Sequence, residues 1–386
     1  MQFIKRGLIG LFLLGLFGCA TQPPVEALSA EIWQDSSFSY QPSRVVETRE
    51  SLFKLDSAVL QALEPSGRIG YTSEQRLNHL IASLYGPKGI RLAYSAGQTT
   101  VASQTWHNKR GDCLSLTVLA YAAARSLGLS AHMQDVRVPV AFDRRGGVDF
   151  INGHVNVFVR NDTEALINGQ AVHAGGFVID FEPQTGARPS GTWLSEDAVL
   201  ARYYNNRGSE YFVQKSDEMA YAYYKAAVAT DPTYAPTYTN LALLYVRRGL
   251  LAQAERLMRY AVDLGGPSYA PLRSLQQLMT AQGRPAEAQR YAEQLARRQD
   301  EDPYYWFGLG LRALQDGKPA QAIASLERAA GLTTGFEEIH YNLALAYWRN
   351  GQREAAAKQL AVLRAINGQD PGVAVLSKKM EGHAPS

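Results

Sequence analysis

Four glycines, Gly249, Gly283, Gly317 and Gly351, stand 34 residues apart without slip, and Ala220, Ala254, Ala288, Ala322 and Ala356 keep the same interval. A strict period of this length marks a unit that cannot bury its apolar face alone and must stack on its neighbours. Thirty-four residues suffice for two helices and the turn between them. Glycine belongs in that turn, where the backbone goes left-handed, and alanine where the two helices cross closely. The register gives five units, 201–234, 235–268, 269–302, 303–336 and 337–370, so this part of the chain is committed to an all-α solenoid. Two units deviate. The first has Lys215 at the turn-glycine position, and the third has Gln276 and Met279 in place of a small residue and a tyrosine.

Asn240-Leu241-Ala242-Leu243-Leu244-Tyr245 and Asn342-Leu343-Ala344-Leu345-Ala346-Tyr347 resemble the first helix of tetratricopeptide (TPR) repeats, and Asp231-Pro232 resembles their closing proline. The resemblance implies a concave face that holds an extended peptide or a partner's helix. Tyr203, Tyr204, Tyr211, Tyr221, Tyr223 and Tyr224 crowd the start of the array and either line such a groove or pack between helices. Residues 371–386 read as a short final helix and a tail.

Ahead of the repeats, the chain begins with Lys5 and Arg6, followed by an apolar run from Gly7 to Gly18 that ends at Cys19. The run is too short to span a bilayer and suits a signal-peptide core. Leu16-Phe17-Gly18-Cys19 resembles the lipobox of bacterial lipoproteins, which implies cleavage before Cys19 and diacylglyceryl attachment to its sulfur. Ala20 follows, with no aspartate to resemble the inner-membrane retention signal, so outer-membrane attachment facing the periplasm is expected. Residues 20–44, with Pro23, Pro24 and Pro42, read as a tether. A net charge of +3 over 386 residues gives no sign of a nucleic-acid partner. The chain has two cysteines, so lipidation of Cys19 leaves Cys113 as the one remaining thiol and excludes an internal disulfide.

Between the tether and the repeats, residues 45–195 change texture partway. Helical spacing runs from Val46 to Leu63 and again from Thr72 to Leu84, where Thr72-Ser73-Glu74-Gln75 forms a capping-box pattern; a short helix over Thr99–Trp106 follows. After Gly128, the runs Met133–Val140, Gly153–Val159 and Gly176–Phe181 read as antiparallel strands, making the segment α+β. At the junction lies Lys109-Arg110-Gly111-Asp112-Cys113, with Asp112 as N-cap of a helix that ends at Gly128. A thiol in the first helical turn meets the positive end of the dipole and is biased toward thiolate; Lys109 and Arg110 add to this and Asp112 opposes it.

That stretch, with Leu119 to Ala131 after it, resembles the core of the transglutaminase-like (papain-like) superfamily. Gly153-His154-Val155-Asn156-Val157-Phe158 resembles its histidine strand, and Phe177-Val178-Ile179-Asp180-Phe181-Glu182-Pro183 its aspartate strand. The resemblance spans residues 70–185 and implies Cys113 as nucleophile, His154 as base and acid, and Asp180 as orienting carboxylate. Asn156 and Phe158 stand where the family has an aromatic and an acidic residue, and Asn161–Ala174 is an insertion between the two strands. Gln104, Trp106 and Asn108 are oxyanion-hole candidates by their position in the chain alone. His107, His132, His154 and His173 show no metal-ligand spacing on one element, so neither metal nor cofactor is expected. Asp143-Arg144-Arg145-Gly146-Gly147 reads as a solvated loop.

The expectation is a lipid-anchored periplasmic thiol enzyme that cleaves or transfers an amide or ester acyl group of a peptide or protein through a thioester, its repeats recruiting substrate or partner. The alternative is a non-catalytic repeat scaffold for envelope assembly carrying a degenerate transglutaminase-like module.

Overall fold

The computed structural model describes residues 28–380 except 65–71, 88, 96–97, 138–141, 146–147, 152–153, 161–163, 168–169, 174–175, 182–187, 266–268, 298–302, 333–336, 368–372, 374–375 and 378–379. The signal segment and Cys19 lie outside the described residues.

Among the described residues, ten helices form the solenoid in antiparallel pairs: α6 (Glu196–Val213) with α7 (Asp217–Thr230), α8 (Ala235–Arg247) with α9 (Leu251–Asp263), α10 (Ala270–Ala281) with α11 (Pro285–Ala296), α12 (Pro303–Gln315) with α13 (Pro319–Leu332), and α14 (Glu337–Arg349) with α15 (Arg353–Asn367). Gly249, Gly283, Gly317 and Gly351 have φ between 68° and 76°. Open space surrounds the Cβ position at each, so the turn requires the backbone angle and not the missing side chain. Each is followed by an amide that donates back to the preceding helix: Leu250 to Tyr245 O, Arg284 to Met279 O, Lys318 to Ala313 O and Gln352 to Tyr347 O, at 2.8–2.9 Å. Lys215 adopts φ 61° at the corresponding place, and Ser216 donates to Tyr211 O at 2.9 Å. All five turns are therefore the same Schellman closure. The periodic alanines are buried where paired helices cross. First helices of neighbouring repeats touch each other (α6 with α8, α8 with α10, α12 with α14), which puts them on the inner side of the curve. Val373 and Leu376 close the last core against Leu360 and Leu363.

The amino-terminal region packs helices on a sheet. The run expected as one helix from Val46 divides into α1 (Arg49–Phe53) and α2 (Ser57–Leu63), because Asp56 caps the second by accepting Val59 N at 3.0 Å. Then come α3 (Ser73–Tyr85), with the expected Thr72–Gln75 capping box, β1 (Ala93–Tyr94), α4 (Ala102–Asn108), β2 (Arg110–Gly111) and α5 (Cys113–Ser126). A four-stranded antiparallel sheet follows in the order β10 (Arg188–Leu194), β3 (Ala131–Arg137), β6 (His154–Arg160), β9 (Gly176–Ile179). Of the stretch expected as a solvated loop, Asp143, Arg144 and Arg145 belong to β4 (Phe142–Arg145), which pairs antiparallel with β5 (Val148–Ile151); Gly146 and Gly147 lie outside the described residues. Within the insertion after β6, β7 (Glu164–Ile167) pairs antiparallel with β8 (Gln170–His173), and β6 and β9 keep a continuous register.

Residues 28–44 depart from the expected tether. They make three 3-10 turns, Ala30–Ile32, Ser36–Phe38 and Pro42–Arg44, laid across α7, α8 and α9. Ile32 and Phe38 are fully buried, Phe38 stacking on Tyr221 with ring centroids 4.4 Å apart. The prolines and small polar residues that suggested a linker separate apolar anchors that enter the solenoid core.

Candidate functional site

The site is built around α5 and β6, which lie side by side and point the same way. Leu114, Val118 and Ala122 pack with Val155 and Met133, while Leu119, Ala120 and Ala123 pack further along with Val157 and Val159. Thr117 Oγ1 donates to Val155 O at 2.9 Å and fixes the level. Cys113, one turn before Thr117, is about 6 Å back along the helix, and His154 is about 3 Å back along the strand. The thiol thus sits at the His154 end of the sheet, half-buried and outside any disulfide.

From the His154 end, the strands of the sheet line up four polar side chains. His154 Nε2 lies 2.8 and 3.0 Å from the two Asp180 carboxylate oxygens, with His154 and Asp180 5% and 13% exposed. Asn156 Nδ2 donates to Asp180 Oδ2 at 2.9 Å, and Gln134 Nε2 donates to Asn156 Oδ1 at 2.6 Å. A carboxylate only accepts, so Nε2 carries the proton and Nδ1 is the basic nitrogen. Asn156, a departure from the resembled pattern, holds the carboxylate in place. Gln134 completes the row and carried no signal in the sequence, because one more polar residue in an alternating strand reads as a solvated face. Tyr85 stacks on Phe181 beside Asp180; burial, then the Asp180 charge, push its phenol upward.

Asp112 caps α5 from a buried position. Its Oδ1 accepts Ser115 N at 2.8 Å and the Ser115 hydroxyl at 2.6 Å. Its Oδ2 accepts the Thr99 hydroxyl at 2.6 Å and Asn206 Nδ2, from the first solenoid helix, at 3.4 Å. Glu210 on the same solenoid helix accepts Thr99 N at 2.7 Å and pairs with Arg207. Burial raises the Glu210 carboxyl and the neighbouring Asp112 charge adds to it; Thr99 and Arg207 pull the other way. The start of the Cys113 helix is therefore clamped by α6.

The tyrosines at the start of the array do not line a groove. Tyr203, Tyr221, Tyr223 and Tyr224 are buried. Tyr203 and Tyr223 donate to the Glu47 carboxylate at 3.0 and 2.6 Å, Tyr204 to Glu47 O at 2.5 Å, and Tyr221 to Asp35 at 2.7 Å. They hold the chain's own amino-terminal segment. Of the oxyanion candidates, Trp106 packs in the core with Leu119 and Ala123, while Gln104 and Asn108 are exposed. His107 pairs with Asp56 and His132 stacks near Trp193. Among the described residues no group of three His, Cys, Asp or Glu is placed to hold a metal ion, and no helix is long and apolar enough to cross a membrane.

Tetratricopeptide-repeat family models match residues 201–234 and 313–378. The carboxy-terminal part of the chain is thus a helical tetratricopeptide solenoid, a module for binding protein. No curated protein matches the sequence. Similar solved structures include YrrB, described as a TPR protein with an unusual peptide-binding site, at 21% identity over 46% of this chain and 92% of that one, TM-score 0.25. Another is pilF of Pseudomonas aeruginosa, at 20% identity over 48% and 85%, TM-score 0.31. A third is MamA, at 19% identity over 48% and 97%, TM-score 0.25.

Proposed function

We propose that the chain is a lipid-anchored thiol enzyme of the cell envelope, attached through Cys19 and facing the periplasm, with an amino-terminal domain that resembles the transglutaminase-like superfamily. Cys113 attacks the carbonyl of an amide or ester in a peptide or protein, and the tetratricopeptide repeats recruit that substrate or a partner. The observation that carries this reading is the buried His154–Asp180 pair at the end of the sheet toward which the first turn of α5 is directed. His154 Nδ1 takes the thiol proton as the carbon–sulfur bond forms, and returns it to the departing amine or alcohol as the carbon–nitrogen or carbon–oxygen bond breaks. Asp180, held by Asn156, fixes the tautomer and stabilises the imidazolium. Proton transfer of this kind contributes a factor of roughly 10² to 10⁴ in rate. Backbone amides of the first helical turn stabilise the oxyanion. Water or an amine then resolves the thioester; bulk water in the periplasm favours hydrolysis.

Alkylation of Cys113 across pH tests the reading. The expected result is a reactive thiolate well below the pH of a free thiol, whose pKa is about 8.5, lost on His154→Ala. Comparing peptide and protein profiles of envelopes from wild type and Cys113→Ala then identifies the substrate. A Cys113 that behaves as a free thiol favours the second reading, a scaffold, which rests on the family matches being confined to the repeats.

A further inference from the structure

The turn that closes the first repeat brings a side chain back onto the first solenoid helix, where it faces the amino-terminal sheet. Tyr234 ends the α7–α8 connection, and its ring is covered by the Arg202 guanidinium, 4.4 Å from ring centroid to Cζ. Arg202 projects from α6, donates to Ala198 O at 3.0 Å and pairs with Asp135 at 3.5 Å. Asp135 lies on β3 directly opposite Val155, the residue whose carbonyl takes the Thr117 hydroxyl one turn below Cys113. Asn206, one turn along α6 from Arg202, donates to Asp112 beside Cys113 at 3.4 Å, so Tyr234, Arg202 and Asp135 stand by the start of the thiol's helix. Burial first, then the Asp135 and Cys113 charges, push the Tyr234 phenol upward, with Arg202 opposing, so the hydroxyl stays protonated at neutral pH.

We propose that Tyr234 forms the solenoid-side wall of the Cys113 cleft, with Arg202 as its strut and Asp135 as the anchor, and is a specificity-determining residue for the acyl group that the thiol accepts. The word acyl rests on the proposed thiol chemistry; the placement of the wall does not. A ring braced by a guanidinium loses little freedom on contact, and its flat face and phenol together suit an extended peptide, with apolar side chain against the ring and backbone carbonyl at the hydroxyl. Arg202 Nε, buried and without a hydrogen-bond acceptor, is a further donor beside that path. The first repeat would then be part of the reaction site, and the amino-terminal domain without it would have an incomplete one.

Two measurements on the full chain test this. Cys113 is alkylated with a small reagent, iodoacetamide, and with a bulky polyethylene-glycol maleimide, in wild type, Tyr234→Phe and Tyr234→Ala. Access and thiolate fraction set these rates, so opening the wall raises the bulky-to-small rate ratio about tenfold in Tyr234→Ala and leaves it unchanged in Tyr234→Phe. An unchanged ratio in folded Tyr234→Ala overturns the proposal. Independently, a short bifunctional maleimide joins Cys113 to the new thiol of Tyr234→Cys within one chain, and absence of that cross-link overturns it as well. The pH profile with iodoacetamide separates the two ideas. A cross-link together with an ordinary thiol pKa leaves the wall standing and removes the enzyme.

Discussion

Asn156 has its donor on Asp180 and its acceptor on Gln134, so it can neither rotate nor be replaced by a residue lacking either function. Asn156→Leu keeps the volume but leaves the Gln134 amide buried and unpaired, and Asp180 loses one of its fixed donors. The expected cost is about 1–3 kcal/mol by urea denaturation. Thiol alkylation at neutral pH should also slow, because the His154 ring is held less well. Lys215 presents the opposite case, a side chain where four sister turns have glycine. Its φ of 61° is sterically costly with a Cβ, so Lys215→Gly should stabilise the chain by about 1 kcal/mol. The alternation around His154 and the period that places Lys215 are local signals, and both were legible in the sequence. The solenoid residues around Asp112 and Thr99 were not. Asn206 and Glu210 lie far along the chain on a helix whose own pattern explains them as repeat residues, so nothing local marks them as part of the thiol's surroundings.

The solenoid helices follow directly from the period, since each turn needs one left-handed residue and each crossing one small one. Ala254 is fully buried at such a crossing, so Ala254→Leu should cost about 1–3 kcal/mol through overpacking, detectable as a lower urea midpoint with an unchanged slope. Helix α6 carries more than its repeat requires. One face packs on α7, and Arg202, Asn206 and Glu210 reach into the amino-terminal region. Helix α5 in turn depends on a cap it shares with α6. Asp112→Ala removes four hydrogen bonds at once and strands Thr99 and Ser115, so the loss should exceed the usual ~1 kcal/mol of an exposed cap and approach about 2 to 3 kcal/mol. Denaturation of that variant beside Asn206→Ala, which removes only the longest of the four bonds, measures how much of the cap the solenoid supplies. The reading of α5 as a capped helix needed only Asp112 and Gly128; the burial of that cap between domains is a property of assembly.

At the scale of the whole molecule, the chain is tied back on itself by residues 28–47. Phe38, Tyr221 and Tyr245 form a cluster of three mutually stacked rings with the Arg248 guanidinium over Phe38, Tyr245 donates to Ile32 O at 2.7 Å, and Glu47 takes two tyrosine hydroxyls of the first repeat. A linker composition concealed this, because two apolar anchors among prolines and serines carry no periodicity. Asp35 is the electrostatic fastening. Burial alone would raise its carboxyl, but hydrogen bonds from Lys225 (2.6 and 2.8 Å) and Tyr221 outweigh that and hold it below its ordinary value. A carboxylate depressed in the folded state stabilises above its unfolded pKa of about 3.9, and that contribution disappears as pH falls through the folded value. The segment should therefore be seated from pH ~7 down to ~4 and loosen below. In Lys225→Met the largest lowering contact is gone while burial remains, so loosening should begin at a higher pH. Trp33, edge-on to Tyr221 at 6.5 Å and beside Lys225, reports the event. Fluorine NMR of fluorotryptophan-labelled protein should show the Trp33 resonance moving toward its solvent-exposed position on acidification, earlier in the variant than in wild type. A Trp33 signal indifferent to both pH and Lys225 would mean that the stacked Phe38 anchor holds the segment without help from the ion pair.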